Sequence, residues 1–166
     1  NYYGMAAFFN RVQRANTKRT NEMFIYVSQS GEVTQPRTQQ QMKPWVPGQG
    51  DIENPNEFDR RLDFASWLTQ PDNPFFAKIE VNRIWSQVFG RGIVEPADDF
   101  RDTNPPSNAV LLDQLAKDFV ENGYDRKKIL ATILKSRTYQ TSYQPNNFNE
   151  DDTKYFSHYQ PRLLSA

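Results

Sequence analysis

Cysteine is absent from this 166-residue chain, and histidine occurs once, at His158. The first absence removes disulfides, thiolate metal sites, a cysteine nucleophile and the Cys-x-x-Cys-His attachment of haem c from these residues. The second leaves little for a catalytic triad, since most versions need an imidazole base; His158 stands among tyrosines, where an exposed or packing role is expected. An excess of either charge is missing too. Twenty Lys and Arg offset 20 Asp and Glu, so no global field favours nucleic acid, and no nucleic-acid partner is expected. No apolar run approaches the roughly 18 residues of a membrane span, and no signal-peptide pattern is read within these residues. Glycine-rich phosphate loops are lacking too: Gly90-Arg91-Gly92 follows a predicted helix and reads as its C-cap.

Aromatic residues are abundant, with 12 Phe, 8 Tyr and 3 Trp in a chain whose hydrophobic fraction is 37% and whose mean hydropathy is -0.84. A few large rings must therefore supply much of the buried area. The length suits one domain able to bury roughly two thirds of its unfolded surface. Residues 1–12 place Tyr3, Ala6, Ala7 and Val12 at helical spacing and lead into a basic stretch, Arg11, Arg14, Lys18 and Arg19. Met23 to Val27 and Glu32 to Thr34, on either side of Ser28-Gln29-Ser30-Gly31, predict a β-hairpin over about 23–34. Pro36, Pro44, Pro47, Gly48, Gly50 and Pro55 make 36–56 a connector expected to be irregular. The division is thus 1–35, the connector 36–56, and a helical domain 57–166 truncated at its C-terminal end.

In that domain Asn54-Pro55-Asn56-Glu57 supplies start signals for a helix over about 55–69, with Phe58, Leu62, Ala65 and Leu68 as its apolar stripe. Asn73-Pro74 starts a second, ending near Phe89-Gly90. Apolar residues cover most of its circumference, so 74–89 is the expected central, buried helix of a mainly α fold. Ser107 is read as the cap of a helix burying Leu111, Leu112, Leu115, Ala116 and Phe119. Asp125 caps another that buries Ile129, Leu130, Ile133 and Leu134 and ends near Arg137. Ser165 has the look of a further cap with its helix missing, and the chain reads as a piece of a larger polypeptide.

Asn82 and Ser86 fall inside the apolar arc of the central helix, where an unpaired polar group would cost about 1–3 kcal/mol. Together with Arg83 and Ser107 they are the structural polar candidates. The loop from Gly90 to Ser107 is longer than packing usually requires, and such loops are often functional. Its Arg91, Asp98, Asp99, Arg101 and Asn104, with Trp85, Phe100 and Tyr139 as stacking faces, form the ligand-binding candidates for a glycan-like partner. Alternatively Arg91 and Arg101 pair with Asp98 and Asp99 and tie the loop down. Asp98, Asp99, Asp102 and Asn104 match no calcium-loop spacing, and no metal is assigned. Glu80 with Asp98 or Asp99 would be the carboxylates of a glycoside hydrolase. The hydroxyls of 136–142 lack a base and read as a helix end and a bonded turn.

Asp63-Phe64-Ala65-Ser66-Trp67-Leu68-Thr69, Pro71-Asp72-Asn73-Pro74-Phe75-Phe76-Ala77, Val81-Asn82-Arg83-Ile84-Trp85, Phe89-Gly90-Arg91-Gly92, Asp98-Asp99-Phe100-Arg101, Asn104-Pro105-Pro106-Ser107 and Gly123-Tyr124-Asp125 occur in this order. In this the chain resembles, from about Pro36 onward, the C-terminal domain of unknown function of large planctomycete-type exported proteins. Tyr2-Tyr3 to Arg11 resembles the tail of the companion domain that precedes it there. Asn108-Ala109-Val110 departs from the His-Pro-Glu common at that place. The resemblance implies an exported, periplasmic or cell-envelope setting, partner domains in the same polypeptide and haem c elsewhere in the parent, with no cofactor in this segment; it carries no catalytic residue. The expected function is a non-catalytic binding or assembly module contacting a polysaccharide or neighbouring domain. The alternative is a hydrolase of a surface polysaccharide acting through loop carboxylates; docking to a haem-bearing module is a third reading.

Overall fold

The computed structural model describes residues 2–19 and 21–161; the cap expected at Ser165 lies outside them. The chain divides into two compact units, Asn1–Gln70 and Pro71–Ala166. Helices dominate, and an N-terminal β-hairpin accompanies them.

The first unit opens with a short helix, α1 (Tyr2–Ala6), followed by an antiparallel hairpin of β1 (Val12–Asn16) and β2 (Met23–Val27). The hairpin expected at 23–34 is therefore shifted: Met23–Val27 is one of its strands, but the partner precedes it. Val12–Asn16 shows no apolar alternation because the ladder is held by backbone groups, which leave no mark in side-chain pattern. Val33–Thr34 (β3) pairs instead with Gln41–Met42 (β4), and Trp45–Val46 (β5) with Gly50–Asp51 (β6). The proline-rich connector thus contains one small ladder, β5–β6, and one strand of another, β4, and Pro44 and Val46 are among the most deeply buried residues.

Helix α2 runs over Arg61–Leu68, not from 55. The polar groups after the expected Asn54 cap serve turns: Asn56 Oδ1 accepts the N–H groups of Phe58 and Asp59 and Asp63 Oδ2 accepts that of Asn56, while Asp59 Oδ1 meets the N–H of Arg61, where the helix begins. Bonds of this kind hold a turn rather than a helix. The buried face follows Arg60, Phe64 and Trp67. Phe64 packs against Phe8, Phe9 and Trp67 at ring separations of 5.3, 5.5 and 5.7 Å. The predicted stripe is turned outward, with Phe58, Leu62 and Ala65 exposed.

The second unit is built around α3 (Phe76–Phe89), as the apolar arc predicts. Asn73 Oδ1 accepts the N–H groups of Phe75 and Phe76 at the start, and Gly90, at φ 79°, closes the end in a left-handed conformation suited to glycine. α4 (Ala109–Glu121) and α5 (Arg126–Leu134) pack on it. Asp125 caps α5 through the N–H groups of Lys127 and Lys128, and this helix stops before Arg137. The cap of α4 is Asn108, whose Oδ1 accepts from Leu111, and not Ser107. Val81, Ile84, Trp85, Leu112, Phe119, Ile129 and Ile133 form the core, with Ile93 and Val94 of the following loop. Leu130 and Leu134, expected inside, lie on the outer side of α5.

Candidate functional site

The loop 90–107 is held by side chains that act on its backbone. Asn82, fully buried on α3, donates through Nδ2 to the carbonyls of Val94 at 2.9 Å and Ala97 at 2.8 Å, and accepts the Val94 N–H at 3.0 Å. Glu95 accepts the Gly92 N–H, Asn104 Nδ2 donates to the carbonyls of Glu95 and Asp99, and Ser107 donates to the Ile93 carbonyl through both Oγ and its N–H. Gly92 lies so close to this net that a Cβ there would stand 2.1 Å from the Val94 oxygen.

The charged candidates are paired, with one exchange of partners. Arg101 binds Asp99 with two contacts, at 2.5 and 2.6 Å, whereas Asp98 takes Arg83 of α3 at 2.7 Å and not Arg91. Arg91 donates to the Thr153 carbonyl at 3.1 Å. The Arg83 and Arg101 guanidiniums hold the carboxyls of Asp98 and Asp99 below the ordinary range. Glu80 pairs with Arg126 at 2.9 Å. Among the described residues no group of three or more His, Cys, Asp or Glu is placed to hold a metal ion.

Two of the expected stacking faces are turned inward. Trp85 is 2% exposed and stacks on Phe89 at 4.2 Å, because it is the largest ring available to fill the space under the loop. Phe100 is partly buried against the same core, and Tyr139 meets Phe89 edge-on while remaining half-exposed. Ser86 is only partly buried and gives its carbonyl to Gly90.

The first unit contains a cleft that no motif announces. It measures about 660 Å³ and is lined by Arg11, Val27, Ser28, Gln29, Pro55, Asn56, Glu57, Phe58 and Arg60. Three chain regions build it: the start of β1, the end of β2 and the Asx turns before α2. At its inner end Arg11 and Arg60 share Glu32, which joins them at 2.7, 2.9 and 3.1 Å. Bonds from Arg60 and then Arg11 pull the Glu32 carboxyl below its ordinary value. At the mouth Phe58 is 85% exposed. An aromatic face beside amides, a hydroxyl and guanidiniums is what a sugar requires, since its ring packs C–H groups on the aromatic and turns its hydroxyls to polar partners. The one available signal was Phe58 itself, whose apolar character placed it in a helix stripe.

The family model described as PSD1: Protein of unknown function (DUF1553) matches residues 60–166. No curated protein and no solved structure matches the chain.

Proposed function

The chain belongs to the PSD1 family, and on that premise we propose that it is a non-catalytic binding and assembly module of an exported, multidomain cell-envelope protein of planctomycete type. The observation that carries the reading is the exposed Phe58 ring at the mouth of the polar cleft, which suits a polysaccharide. The β1–β2 hairpin favours an additional contact with a neighbouring domain of the same polypeptide. Met23, Phe24, Ile25 and Tyr26 are all exposed on it, a concentration of apolar surface that ordinarily marks an interaction site.

Binding is favoured over hydrolysis by the state of the loop carboxylates. A glycosidase needs one carboxyl that carries a proton, and Asp98 and Asp99 are each held ionised by an arginine. Covalent haem c would belong to another part of the parent protein, since these residues include no cysteine to form its thioether bonds. Affinity electrophoresis through gels containing soluble polysaccharides tests the proposal. Retardation of the chain, lost in Phe58→Ala with an unchanged circular dichroism spectrum, is the expected result. Release of reducing sugar that Asp98→Asn or Asp99→Asn abolishes would replace it by the hydrolase.

A further inference from the structure

Two guanidiniums at the inner end of the cleft share one carboxylate. The Arg60 side chain is 9% exposed and that of Arg11 15%, so this is a largely desolvated pair of cations with a single counter-charge. Arg11 donates through Nη1 to the Glu57 carbonyl at 3.3 Å, and Arg60 through Nη1 to the Ala7 carbonyl at 3.5 Å; both contacts are long. The Nε of each arginine is buried without a partner. Burying a charge without a counter-ion is costly, and buried charges are ordinarily paired. Asp59 is bound to Arg61, and Asp63 accepts the Asn56 N–H. The carboxylate in the lining itself, Glu57, is exposed and makes no ion pair with either arginine among the described residues.

We infer that the cleft takes an acidic sugar, seating an anionic oxygen group of the sugar, a carboxylate or a sulfate ester, against Arg11 and Arg60 while the ring lies on Phe58. This rests on the binding-module reading and adds the chemical class of its ligand. Glu32 already fills the Arg60 fork and one terminal nitrogen of Arg11, so the anion adds a second counter-charge through the terminal N–H groups left over, from which a carboxylate or a sulfate ester oxygen accepts equally well. Glu57 then faces the incoming anion from the rim and opposes it.

The test is binding of the whole chain to three soluble polymers, dextran, dextran sulfate and polygalacturonate, by affinity electrophoresis at about 150 mM salt, where contacts between distant exposed charges are largely screened. The expected result is that one or both acidic polymers bind at least about tenfold more tightly than dextran, a difference of about 1.4 kcal/mol. Sulfate is the preferred group if dextran sulfate alone gains, and carboxylate if polygalacturonate alone does. Arg11→Gln should abolish the preference. Because that arginine also holds the fold, Glu57→Gln provides a second reading: it removes an exposed opposing charge and should strengthen acidic binding severalfold without touching the arginines. Dextran bound as tightly as the acidic polymers, and weakened by Phe58→Ala, would overturn the acidic ligand and leave the binding module standing. Binding of none of the three, or acidic binding indifferent to Phe58→Ala and Glu57→Gln, would overturn both.

Discussion

The Asn82 side chain grips Val94 at both backbone atoms, accepting its N–H at 3.0 Å and donating to its carbonyl at 2.9 Å. An amide is the one uncharged side-chain group able to imitate a neighbouring strand in this way, offering a donor and an acceptor side by side. The loop thereby receives strand-like pairing from a helix. A third bond, to the Ala97 carbonyl, fixes the following turn.

Removal of that amide strands buried backbone groups. Asn82→Ala is expected to lower unfolding free energy by about 3 kcal/mol, with three lost bonds partly offset by water entry. Asn82→Asp should be worse at neutral pH, because a carboxylate oxygen would face two carbonyl oxygens, and should recover in part at acid pH, where the protonated group donates once. Urea denaturation at pH 7 and pH 4 measures both.

Gly92→Ala attacks the same junction from the other side. Its Cβ would stand 2.1 Å from the Val94 oxygen and 2.9 Å from Asn82 Nδ2, so the loop must move away from α3. A loss of about 3 kcal/mol is expected, at the upper end of overpacking costs. Since either change releases the same contact, the double variant with Asn82→Ala should lose clearly less than the sum. Full additivity in urea denaturation would show that Gly92 acts elsewhere.

The central helix and the demand that Asn82 be paired were legible because both follow from a periodic pattern and the cost of a buried amide. The identity of its partner was not: Val94 and Ala97 contribute backbone atoms, which carry no residue signature. The same reason hid β1, whose side chains Gln13, Arg14 and Asn16 say nothing of the ladder they form with Tyr26, Ile25 and Met23. Helix α2 misled for a different cause. Asn54, Pro55 and Glu57 have the composition of a helix start, but the Asn56 oxygen holds the Phe58 and Asp59 N–H groups in a turn before the helix begins, and Phe58, which a helix from 55 would put in its apolar stripe, stands in solvent. The cleft itself joins residues near positions 11, 29 and 57, and only the fold brings such distant segments together.

Asp152 organises the last described turn. It accepts from the N–H groups of Lys154, Tyr155 and Ser157 and from the Ser157 hydroxyl, and the turn sets Phe156 against Trp85 at 5.3 Å and Phe89 at 5.4 Å. Burial pushes its carboxyl up, but the Ser157 hydroxyl and the backbone bonds outweigh this and leave it far below the ordinary aspartate value. A depressed pKa contributes stability that is complete above the unfolded value, near 3.9, and is lost as pH falls through the folded one. Asp152→Asn should therefore lower Tm by a constant amount from pH 8 to about pH 5 and by progressively less below about pH 4. An equal deficit at pH 7 and pH 3 would contradict the assignment.

Glu32 and Asp98 provide a paired comparison, since arginine bonds lower both carboxyls in different surroundings. Asp98 and Arg83 are more than half exposed, so water competes for both partners and the pair contributes little to stability. Glu32 lies between two arginines that are largely out of solvent, and its loss leaves their charges facing one another. Glu32→Gln is expected to cost about 3 kcal/mol at pH 7, toward the lower end for breaking a buried pair, while Asp98→Asn should leave urea denaturation unchanged within error. The pH response follows the same sign as for Asp152: the Glu32 contribution is full above the ordinary glutamate value near 4.3 and fades as pH drops through its lower folded value. The gap between wild type and Glu32→Gln should accordingly close in acid. A gap that persists at pH 3 would mean that the glutamate acts through shape rather than charge, and equal costs for the two variants would mean that burial does not distinguish these pairs.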